Sequence, residues 1–183
     1  MIIKGLVDED FINYKRPNMF IIMPYCSLKC DKENGNTICQ NSNLITQPTH
    51  DIQIPSIIKR YLQNDITQAI VFGGLEPFDS FDDLYSFIEY CRIEVASGYE
   101  VNKDNSIEIR HLDDDIVIYT GYNKEEIEDK VNKLKQFKNI IIKFGRYIPN
   151  QKPHYDPVLG VYLASDNQYA ERLDYEVCEK DVM

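Results

Sequence analysis

Four short, mostly apolar runs recur along this chain, at residues 19–23, 66–72, 116–119 and 139–144. Each is near strand length and apolar on both faces, as expected of strands covered on both sides. Between them the period shifts to that of amphipathic helices. Residues 55–63 set Ile57, Ile58, Tyr61 and Leu62 on one face, with Pro55 early in the first turn. A second stripe, Leu84, Phe87, Ile88, Cys91 and Val95, follows Ser80 and Asp83 in a capping arrangement. Asn123 with Glu126 caps a third helix, whose Ile127, Val131 and Leu134 face inward. Strands alternating with helices predict β-α-β units and a parallel sheet. Four or five such units cannot close an eightfold barrel, so the expected fold class is α/β, a partial, open parallel β/α barrel. A short edge strand is expected at residues 2–7, and one more strand at 158–164. A long polar loop is expected over 31–48, and residues 97–114 read as irregular with a short strand at 107–109.

In parallel α/β folds, sites form at the carboxyl ends of the strands. Cys26, Gly73 and Thr120 each follow a run directly, so their loops are expected to gather at one rim. The first of these loops carries Cys26, Cys30 and Cys39, spaced C-x3-C-x8-C. Three thiols on one loop suit a metal or iron–sulfur site better than packing, and three ligands leave one metal position open for chemistry. The same cysteines with His50 or His111 could build a zinc site instead. Gly73 and Gly74 allow close backbone approach at a strand end, and Glu76 can accept hydrogen bonds from a cationic amine.

The totals exclude some functions. A formal net charge of −10 over 183 residues argues against nucleic-acid and anionic-membrane partners. The opening MIIKGLVDED has no cationic stretch followed by an apolar core, so no secretory signal is expected, and the longest apolar run is too short for a membrane span. A cytoplasmic location with reduced thiols follows. Five cysteines, three clustered and two distant, make a poor disulfide framework.

The cysteine loop and the later Gly73-Gly74-Leu75-Glu76-Pro77 together resemble the radical SAM family, whose marks are C-x3-C-x2-C after the first barrel strand and Gly-Gly-Glu-Pro after the second. Residues 119–126, YTGYNKEE, and the late Ser165-Asp166-Asn167-Gln168 are similar to motifs of the activating proteins of anaerobic ribonucleotide reductases, in the same order. The resemblance implies a single domain over residues 1–183, with a cluster-binding loop at 26–48 and a C-terminal loop and tail after about residue 145. It implies a [4Fe–4S] cluster on Cys26, Cys30 and Cys39, and S-adenosylmethionine on the open iron. Ile38 would pack on the adenine, and Gly73, Gly74 and Glu76 would hold the methionine amino group. Tyr119 and Thr120 would touch the cofactor. The implied activity is reductive cleavage of S-adenosylmethionine to raise a glycyl radical on a partner, the large subunit of an anaerobic ribonucleotide reductase, with flavodoxin or ferredoxin as one-electron donor. Two alternatives stay open: a radical SAM enzyme acting on a small molecule or peptide, and a zinc-stabilised interaction module. Ile38 also suits plain core packing. The chain departs from the family pattern in three places: eight residues precede Cys39, Leu75 separates the glycines from Glu76, and Lys143 stands where an acidic residue is expected. Cys91 reads as core, and Cys178 as part of the tail.

Overall fold

A computed structural model describes residues 1–95, 98–103, 106–110 and 112–176. The chain opens with β1 (Ile2–Ile3), β2 (Gly5–Asp10) and β3 (Asn18–Ile22). The short helix α1 (Lys29–Asn34) follows, then β4 (His50–Asp51), α2 (Ile54–Leu62) and β5 (Ala69–Gly73). Next come α3 (Phe81–Glu89), the hairpin β6 (Tyr99–Lys103) and β7 (Ser106–Arg110), and β8 (Asp115–Tyr119). Helix α4 (Glu128–Leu134) and β9 (Ile140–Phe144) precede a second hairpin, β10 (His154–Asp156) and β11 (Val161–Leu163), and the last strand β12 (Tyr169–Arg172).

One six-stranded mixed sheet organises the molecule, in the order β12-β9-β8-β5-β3-β2. Its four central strands are parallel, and both edge strands run antiparallel. The apolar runs read as strands are these central four, and alternation along them assigns the faces. Met19, Ile21, Ile70, Phe72, Ile116, Ile118, Ile140 and Ile142 pack with the buried stripes of α2, α3 and α4. Ala69, Val71, Val117 and Ile141 point the other way, onto Tyr14, Leu159 and Leu163. Helices therefore cover one face, and the β10–β11 hairpin with the segment before β3 covers the other. Burial on both faces explains why these strands show no polar alternation.

Several expectations need correction. Within the stretch 97–114, the described residues form the β6–β7 hairpin rather than an irregular segment with one short strand. The sheet is mixed rather than all parallel. The stretch 31–48 is not a plain loop, since it holds most of α1 and a 3₁₀ turn at Ser42–Thr46. Ser80 makes no capping hydrogen bond, and the Asp83 carboxylate instead accepts from the Ile2 N–H at 3.0 Å. Among the described residues, the chain after residue 145 forms the second hairpin and β12, and within 158–164 only Val161–Leu163 are strand. The Asn123–Glu126 capping box is present. Among the described residues, no helix is long and apolar enough to cross a membrane. Cys178 and His111 lie outside the described residues.

Candidate functional site

The four central strands present their carboxyl ends side by side, and hydrogen bonds lock the loops that follow into one rim. The Glu76 N–H donates to the Tyr25 carbonyl at 2.9 Å, which joins the entry of the cysteine loop to the glycine loop. Leu75 is absorbed by a tight turn, its N–H donating to the Gly73 carbonyl at 2.9 Å and its side chain buried in the core. Gly74 needs its lack of a side chain twice over. Its φ is +75°, and a Cβ there would stand 2.7 Å from Ile22 Cγ2.

Glu76 is the centre of the rim, 7% exposed. Its Oε1 accepts from the Thr120 hydroxyl at 2.7 Å and the Phe78 N–H at 3.1 Å, and its Oε2 accepts from the Gly121 N–H at 2.8 Å. Burial outweighs these three donors and pushes its carboxyl up to about 7. A Cβ on Gly121 would lie 3.5 Å from Cys30 Sγ and 3.6 Å from Glu76 Oε2, so thiol, carboxylate and the loop after β8 share one neighbourhood.

The insertion before Cys39 is built rather than loose. Helix α1 starts just before Cys30 and ends at Gly35, with φ +66°. Asp31 Oδ1 then accepts from the N–H groups of both Ile38 and Cys39 at 2.9 Å, returning the chain so that Cys39 lines the same cavity as the other two thiols. Cys39 lies close enough to Cys26 and Cys30 to act on both electrostatically. Burial pushes the Cys26 thiol up to about 11 and raises Cys30 as well, with Arg146 opposing the rise at Cys30. Among the described residues, no three His, Cys, Asp or Glu side chains converge as ligands of a single ion. The described cysteines are free thiols.

A cavity of about 590 Å³ opens at this rim, within the usual range for a small-molecule site. Cys26, Cys30, Cys39, Gly74, Glu76, Tyr119 and Thr120 all line it. Ile38 and Gly73 do not; Gln40, Asn41 and Leu44 supply the wall beside Cys39. Gly73 serves packing, since a Cβ there would meet Phe20 Cζ at 2.9 Å. Another hollow of about 600 Å³, between Met1, the start of α2 and the end of α3, shares none of these residues.

Sequence reasoning gave no role to Lys143, yet it lines the cavity at 6% exposure. Burial lowers its ammonium to about 8, with Glu76 and Cys30 opposing the fall. Nζ donates to the Gly145 carbonyl at 2.8 Å, which Gln168 Nε2 also reaches at 3.2 Å. Asn167 Nδ2 donates to the Arg146 carbonyl at 2.9 Å. The late Asn167-Gln168 pair thus fixes the loop after β9, where Gly145 takes φ +94°. Asp79 was also missed: Oδ1 accepts from the Tyr122 hydroxyl at 2.6 Å, and Oδ2 from the Ser27 N–H. A lysine inside an otherwise apolar run was the visible signal for Lys143; for Asp79 there was none. No family model, curated protein or solved structure matches the chain.

Proposed function

We propose that this protein is a radical SAM activase, which holds a [4Fe–4S] cluster and S-adenosylmethionine at this rim and raises a glycyl radical on a partner enzyme. The observation that carries the reading is the convergence of Cys26, Cys30 and Cys39 on the cavity that also contains Gly74, Glu76 and Thr120. In the same reading the sheet is the open, partial barrel of that family.

The donor set fits the group. Ligands of a cluster each meet a different iron, so they stand further apart than ligands of one ion. Half-buried thiols whose pKa is raised by desolvation gain from a bound metal cation, which releases their protons. When bound, the cluster supplies one electron to split S-adenosylmethionine into methionine and the 5′-deoxyadenosyl radical, which takes hydrogen from the partner's glycine. The chain does the rest. Cys26, Cys30 and Cys39 hold the cluster. Glu76 keeps one lone pair of Oε2 for an ammonium group after its three protein bonds. Lys143, with one of its three donors used, offers a cation to a carboxylate. The apolar walls Ile22, Phe20 and Leu44 exclude water from the same space. A chain of net charge −10 suits a basic docking surface on the partner.

The test is anaerobic. Reduced protein with S-adenosylmethionine alone is expected to cleave it slowly. Adding an anaerobic ribonucleotide reductase encoded beside it should give a glycyl radical by electron paramagnetic resonance, with 5′-deoxyadenosine in step, and salt should slow the activation. Brisk turnover of a small molecule without any glycyl radical would overturn the reading.

A further inference from the structure

Helix α1 carries the half-buried Cys30 but has no fully buried residue, so apolar packing does little to hold it against the sheet. A helix this short is also unstable alone. Charge holds it. Arg146, 6% exposed in the loop after β9, sends Nη1 and Nη2 to Glu126 Oε2 and Oε1, both at 2.6 Å. Its Nε stands 3.2 Å from Glu33 Oε2 on α1, at ion-pair distance without hydrogen-bond alignment. Lys29, also on α1, reaches Glu126 Oε1 at 3.1 Å. Lys29 Nζ and Arg146 Cζ lie 4.5 and 5.8 Å from the centre of the Tyr122 ring. The anchor itself is fixed, because Glu126 closes the capping box by accepting from the Asn123 N–H at 2.8 Å.

We propose that Arg146 is a latch, a positioning residue that docks the Cys30 helix onto the rim through Glu126 and Glu33 before any metal binds. The latch rests on the activase reading only for what the docked loop is for. Lys29 and Glu33 are 42% and 56% exposed and alone would be screened to little effect. Arg146 differs because its head group is buried and forked. One edge of the guanidinium engages Glu126 while Nε faces Glu33, an arrangement a lysine ammonium cannot reproduce.

Trypsin reports on the latch in the metal-free protein, because Lys29 and Lys32 lie on α1 itself. In Arg146→Met, cleavage after these lysines should speed up about tenfold, the change expected when a local opening equilibrium loses a buried charged fork. Cleavage at lysines and arginines remote from α1 should rise far less, and the melting temperature should fall by no more than a few degrees. Arg146→Lys should behave like Arg146→Met, and adding Glu126→Gln to Arg146→Met should change little more. After anaerobic reconstitution, the resonance line shape of the reduced cluster should shift in Arg146→Met and not in Lys138→Met. Unchanged cleavage at Lys29 and Lys32, or equal acceleration everywhere with a lower melting temperature, overturns the latch. A protein that shows the selective cleavage but takes up no iron or sulfide in any variant keeps the latch and loses the activase reading. A loaded cluster with unchanged cleavage does the reverse.

Discussion

Glu76→Gln probes the centre of the rim through pH. The Glu76 carboxyl sits at about 7 in the folded chain against an ordinary 4.5, chiefly because it is buried. The folded state therefore binds the proton more tightly than the unfolded state. Stability from this group is full below pH 4.5 and is lost as pH rises through about 7. The gap corresponds to about 3 kcal/mol. Glutamine carries no such titration, but its amide group must face either Gly121 or Phe78, whose N–H groups need acceptors. That mismatch costs about 1–2 kcal/mol. The variant should thus be less stable than the parent near pH 5 and equal to it or more stable near pH 8. Urea unfolding of the metal-free, reduced proteins at a series of pH values measures the crossing. Parallel curves offset by a constant would refute the assignment of a destabilised buried carboxylate.

Gly74→Val should cost on the order of 3 kcal/mol, from the left-handed φ and the close approach to Ile22; thermal unfolding reads it, and an unchanged melting temperature would contradict the packing role. Asp31→Ala removes the acceptor shared by Ile38 and Cys39, so iron should leave the reconstituted protein faster while the melting temperature moves little. Chelator challenge measures that loss. Lys143→Met should weaken S-adenosylhomocysteine about tenfold and leave 5′-methylthioadenosine, which lacks the carboxylate, unaffected by calorimetry; equal losses for both would place Lys143 in cavity shape rather than charge.

The central sheet was legible because strands covered on both faces leave near-continuous apolar runs, as at Ala69–Phe72 in β5. The helices were legible by their stripes. The edge near the start was read in part, since β1 and β2 occupy residues 2–3 and 5–10; the other edge was not, because β12, with sequence YAER, is only partly buried and gains its order by pairing with β9. Helix α1 hid for a related reason. Its sequence KCDKEN has no apolar stripe, and its order comes from Arg146, Glu126 and Tyr122, far along the chain. The three strand-end loops were read correctly as neighbours, since adjacency of parallel strands follows from their order of winding. The partners of Glu76 were not readable, because Thr120 and Gly121 become its donors only through the register of β5 on β8.

The most direct test of the central claim is metal content. After anaerobic reconstitution, the purified protein should hold iron and acid-labile sulfide in equal amounts, with a brown, oxygen-sensitive absorbance. Cys26→Ser, Cys30→Ser and Cys39→Ser should each abolish it, whereas Cys91→Ser, altering a buried core thiol, should retain it. Zinc in place of iron, or a cluster that survives all three substitutions, would contradict the account.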